Sequence, residues 1–70
     1  MIILSEWYYH SGIGYLTRRL IINSSEISDM HESYDPYHNM DGTVVYMKNG
    51  NQYNVKEKIN DIMEMIEREA

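Results

Sequence analysis

Cysteine and phenylalanine are both missing from this chain of 70 residues, and proline occurs once. Without cysteine there is neither a disulfide nor a thiolate metal site, and a reducing cytoplasm is the expected compartment. No run approaches the roughly 18 apolar residues that a membrane-spanning helix requires. The first residues have no basic stretch ahead of an apolar one, so a cytoplasmic protein that makes no use of a membrane is expected. Basic residues are also scarce. Six Lys and Arg face eleven Asp and Glu, for a net charge of −5. Direct binding to nucleic acid is disfavoured, because neutralising phosphates takes clustered cations.

The charge that is present is unevenly placed. Glu26, Asp29, Glu32, Asp35 and Asp41 fall in residues 26–41 with no Lys or Arg among them, so that segment carries the whole net charge. Such a segment attracts a basic partner over distance, although acidic residues also serve simply to keep a small protein soluble. One domain, residues 1–70, is expected. A core this small often gains stability by pairing with a second copy or a partner, so a homodimer is expected.

The stretch from Thr43 to Ala70 sets the organisation. TVVYMK and NQYNV flank Asn49-Gly50, a strong hairpin signal because both residues tolerate positive φ. A two-residue turn would place Val44, Tyr46, Tyr53 and Val55 on one face; a looser loop would instead turn Val45 and Met47 inward. Val55, Ile59, Ile62, Met63 and Ile66 recur at helical spacing and predict an amphipathic helix, with Glu57, Asp61 and Glu64 on its other side. Asn54 and Glu57 resemble a capping box.

Upstream, Ile2 to Tyr8 and Tyr15 to Asn23 read as strands around a His10–Gly14 turn. Arg18 interrupts the apolar alternation of the second. Residues 26–33 suit a short strand or a single helical turn, and the strand is preferred. Tyr34 to Gly42 reads as a loop rich in turn residues, long for so small a domain. The fold expected is α+β: an antiparallel sheet of four or five strands with one C-terminal amphipathic helix packed on it.

Chemistry is thinly represented. His10, His31 and His38 lack metal-ligand spacing, even with Glu32 and Asp35 between the last two, and solvated loop histidines explain them better. Their protonation would make the acidic segment pH-sensitive. No nucleophile elbow is present, and Gly12-Ile13-Gly14 lacks the remainder of a dinucleotide fingerprint. No enzymatic activity, metal or cofactor is expected.

Aromatics are more telling, with seven Tyr and one Trp. Trp7, Tyr8 and Tyr9 are consecutive, so on a strand they point to both faces. Tyr34 and Tyr37 flank Pro36 in the acidic segment, where carboxylates and rings together suit Lys and Arg. Evenly spaced carboxylates can also stand in for phosphates. The partner-binding residues expected are therefore Glu26, Asp29, Glu32, Asp35, Asp41, Tyr34 and Tyr37, supported by Glu57, Asp61 and Glu64.

Met1-Ile2-x-Leu4, Ile22-Asn23-x-x-x-Ile27, and Gly42-Thr43-Val44-Val45 through Lys48-Asn49-Gly50-x-x-Tyr53-x-Val55-x-Glu57 resemble the FlbD family of small flagellar and motility-associated proteins. Insertions near residues 9–14 and 34–40 and the Trp-Tyr-Tyr cluster depart from that pattern. The resemblance implies a small sheet with a C-terminal helix, used for regulation or assembly and without catalytic residues. By type, the chain is also similar to acidic phage host-takeover proteins that mimic DNA, including those that inhibit the nucleoid protein HU. The expectation is a non-enzymatic binding module, most concretely an inhibitor of a basic, DNA-binding host protein. An assembly protein that binds through its aromatic surface is the alternative.

Overall fold

A computed structural model describes residues 1–36 and 40–69. Five strands, β1 (Ile2–His10), β2 (Gly14–Ile22), β3 (Ile27–Asp35), β4 (Met40–Met47) and β5 (Gln52–Val55), are followed by a helix, α1 (Ile59–Glu69). They form one antiparallel sheet in the order β2-β1-β5-β4-β3. This is the α+β architecture expected, with five strands.

The Asn49-Gly50 hairpin adopts the looser of the two registers. Met47 N–H bonds the Asn51 carbonyl at 2.8 Å and Gly50 N–H bonds the Met47 carbonyl at 3.0 Å. That closes a three-residue loop, Lys48 to Gly50, whose last residue sits at φ 93°, where a Cβ would be strained. The extra residue pairs Val45 with Tyr53 and Thr43 with Val55. Val45 is therefore fully buried and Met47 packs against the core.

The core is Ile2, Leu4, Ile22, Val45, Val55 and Ile62. Each such side chain contributes roughly 1.5–3 kcal/mol when fully buried. Three differences from the expected helix follow from its start at Ile59. Val55 belongs to β5, so Asn54 and Glu57 form no capping box. Met65 rather than Met63 packs beside Ile62 and Ile66, and Met63 is exposed.

A short linker shapes the sheet. β2 and β3 are the two ends of the strand order, about 19 Å apart if the sheet were flat, at ~4.8 Å per step. Only five Cα steps join Ile22 to Ile27, a reach of about 17 Å when fully extended, and Ser24–Glu26 is wound into a 3-10 turn. The sheet must therefore curl until its edges approach. Lys48 N–H fastens this linker to the β4–β5 turn through the Glu26 carbonyl at 2.8 Å. β1 and β5 meet at one residue pair, Glu6 and Val55, with Lys56 N–H bonding the Ser5 carbonyl at 2.8 Å.

Because the linker holds the end of β2 beside the start of β3, the opposite ends of the β1–β2 and β3–β4 hairpins point the same way. The molecule is elongated, 40 × 20 × 19 Å. The loop expected from Tyr34 to Gly42 is shorter than its turn residues suggest, since Tyr34 and Asp35 end β3 and Met40 to Gly42 begin β4.

Candidate functional site

β3 is an edge strand. Its period of two places Asp29, His31, Ser33 and Asp35 on one face, and Met30, Glu32 and Tyr34 on the other. Asp29 and Glu32 are exposed and Asp35 is half-buried. Asp29 Oδ2 lies 2.9 Å from His31 Nε2, and the His31 ring stands edge-on to Tyr46, centroids 5.5 Å apart. Glu26 is exposed in the linker turn. Asp41 lies directly opposite Tyr34 across the β3–β4 pair. Glu32, Tyr34 and Asp41 meet in a surface cleft of about 490 Å³ with Lys58, Ile59 and Asn60. Lys58 Nζ approaches Asp41 at 3.9 Å, both side chains being mostly exposed. Tyr37 and His38 lie outside the described residues.

The supporting acids do not form one row. Glu57 precedes the helix and is engaged by the fold: its carboxylate accepts the Ser5 N–H at 2.8 Å, and its carbonyl accepts the Thr43 hydroxyl at 2.8 Å. Glu64 pairs with Arg68 one turn along α1 at 2.6 Å, and Asp61 is exposed in the first turn.

Trp7 and Tyr9 point to one face of β1 and Tyr8 to the other. Tyr9 meets Tyr15 across the hairpin, ring centroids 5.4 Å apart at 67°. On the opposite face, Arg18 donates from Nε to Glu6 at 2.9 Å and its guanidinium lies 4.8 Å from the centre of the Tyr8 ring. These contacts explain a cation within the apolar alternation of β2. Trp7 Nε1 is buried without an acceptor, the single such side-chain atom among the described residues. An unsatisfied buried donor costs about 1–3 kcal/mol.

Trp7, Tyr8, Tyr9 and Tyr15 from one hairpin and Ser33, Asp35 and Asp41 from the other line a second cleft, about 330 Å³, between the two hairpin ends. Nothing local in the sequence joins these residues. The shortness of the Asn23–Glu26 linker was the one available signal.

Among the described residues, no group of three or more His, Cys, Asp or Glu is placed to hold a metal ion. No helix is long and apolar enough to cross a membrane. The arrangement is that of a small α+β domain presenting carboxylates and aromatic rings on two projecting hairpins. Comparison with models of protein families, with curated proteins and with solved structures finds no match to this chain. The FlbD likeness therefore rests on the residues that carry it.

Proposed function

We propose that this chain is a non-enzymatic, acidic protein-binding module that engages a basic partner through its β3–β4 hairpin. In its most concrete form it is a cytoplasmic inhibitor of the host-takeover type, blocking a basic, HU-like nucleic-acid-binding protein by DNA mimicry. The observation that carries this reading is the charge of the hairpin. Ile27–Met47 holds Asp29, Glu32, Asp35 and Asp41 and has no Lys or Arg. Asp29, Glu32 and Asp35 recur every third residue, about 10 Å apart along an extended strand, close to three ~3.4 Å phosphate steps of a DNA strand. They alternate between faces: Glu32 shares the face on which Met30 packs against the core, yet Asp29 and Glu32 are both exposed and so within reach of a partner along the strand.

The test is capture from a lysate with washes at low and high salt, followed by competition with DNA. A basic DNA-binding protein that salt releases and DNA displaces is the expected result. A partner retained at high salt removes the mimicry reading.

That second outcome would favour FlbD-like assembly through an aromatic surface, supported by the gathering of Trp7, Tyr9 and Tyr15. Pairing with a second copy suits so small a core. Ile3 and Ile21, cross-strand neighbours 51% and 56% exposed, are the apolar surface for it. Sedimentation of Ile21→Lys against the native chain checks this: a dimer that becomes a monomer supports the pairing, and a native monomer rejects it.

A further inference from the structure

We infer that the cleft between the two hairpin ends is a binding site for an arginine side chain presented on an extended segment of a protein partner. This rests on the reading of the partner as basic and names the group that is recognised.

Two features of the cleft converge on a guanidinium. One hairpin contributes aromatic residues, Trp7, Tyr8, Tyr9 and Tyr15; the other contributes Asp41 and Asp35. A planar cation that stacks on rings while donating to carboxylates fits both at once. The protein already uses half of this chemistry, since Arg18 lies over Tyr8, a residue that also lines the cleft. A compact ammonium makes poorer use of the rings, and an anion would face Asp41 directly.

The cleft is the right size for one side chain and its flanking backbone. At about 330 Å³ it sits near the lower end of the roughly 300–1,000 Å³ spanned by small-molecule sites. Gly42, Thr43, Asn54 and Val55 complete its lining. At Asp41 the internal cation is weakly held: Lys58 reaches it only at 3.9 Å, with side chains 73% and 62% exposed, so a guanidinium arriving at that carboxylate displaces little. Trp7 supplies an indole N–H that finds no acceptor among the described residues; a guanidinium only donates and cannot satisfy it, whereas a main-chain carbonyl of the partner's extended segment can.

Trp7 is the sole tryptophan, so its fluorescence reports on the cleft directly. The native chain is titrated with the tripeptide acetyl-Gly-Arg-Gly-amide, and in parallel with the same peptide carrying citrulline, which keeps the shape and loses the charge. A saturable change in Trp7 emission with the arginine peptide is expected, at least about tenfold weaker with citrulline. Asp41→Asn and Tyr9→Ala, both at exposed positions, should each weaken the arginine peptide by about threefold or more and keep the native circular dichroism. Equal responses to the two peptides, no response to either, or unchanged affinity in both variants would overturn the assignment.

Failure here is distinguishable from failure of the broader reading. If the tripeptide does not bind but a salt-released, DNA-displaced partner is still captured, the cleft assignment falls and the acidic hairpin stands. If the tripeptide binds and no basic partner is captured, the cleft stands and the mimicry falls.

Discussion

Thr43 donates its hydroxyl proton to the main-chain carbonyl of Glu57 at 2.8 Å. Thr43 is fully buried, so this bond is what permits a hydroxyl at the heart of β4. The Glu57 carboxylate in turn accepts from Ser5 N–H, and the two bonds clasp the segment after β5 between β1 and β4. Thr43→Val keeps the shape and leaves the carbonyl without its donor. A loss of about 1–3 kcal/mol in urea unfolding is expected, with the denaturant slope unchanged. Glu57→Gln, which retains an acceptor, should cost less than Thr43→Val and leave partner affinity as it was.

Gly42 is fixed by close approach. A Cβ there would stand 2.0 Å from the Val55 carbonyl oxygen and 3.2 Å from that of Lys56. Both atoms are main chain, so no rotamer change relieves the clash. Gly42→Ala is expected to destabilise by about 3 kcal/mol or more, read as a fall in thermal midpoint. Gly12→Ala, where the added carbon meets open space, should cost less through its positive φ alone.

Asp29, Glu32 and Asp41 are exposed, so replacing them with Asn, Gln and Asn should each shift stability by no more than about 0.5 kcal/mol. The triple variant is expected to associate more slowly with a basic partner and to lose most of its salt dependence. Surface resonance at two ionic strengths measures both. An unchanged salt slope would take these carboxylates out of the interface.

Glu69, at the end of α1, joins the helix to the start of β1 and to the linker. The Met1 ammonium beside it, and then the Ser24 hydroxyl, hold its carboxyl below the ordinary glutamate value of 4.5. The folded state thus prefers the ionised form. Its contribution to stability is full above about pH 4.5, declines as pH falls through the lowered value, and is absent below it. The difference in urea midpoint between the native chain and Glu69→Gln should shrink on acidification. A Glu69 titration by carbon-13 NMR at or above 4.5 would contradict this.

The sheet and its closing helix are legible in the sequence because their signals are local. Asn49-Gly50 marks the turn, alternation marks β1 and β2, and a helical period marks α1. The register of the β4–β5 hairpin was open, since Asn-Gly suits both a two-residue and a three-residue loop and only packing of Val45 chooses between them. The ends of β3 and β4 were hidden by Asp35, Pro36, Asp41 and Gly42, which read as loop residues although Asp35 pairs with Met40 and Tyr34 with Asp41. Glu57 reads as a surface helix residue because nothing local announces its bond to Ser5, 52 positions away. The acidic residues were visible individually. Their division between two faces of an edge strand, and the meeting of Asp41 with Trp7 and Tyr9, arise from the curl that the Asn23–Glu26 linker imposes.

The pairing of Glu6 with Val55 joins the first strand to the last, and this orders events during synthesis. The β1–β2 hairpin emerges early, yet its other edge finds no neighbour until β5 has been made. Until then Ile2 and Leu4 have no core to enter, and Trp7 and Tyr9 stand beside an unpaired strand edge. Closure between such distant segments is slow compared with hairpin formation. The open β1 edge beside Trp7 and Tyr9 is therefore a site for wrong pairing until β5 docks on it, and the stable fold waits for β5 and for Ile62 of the helix behind it.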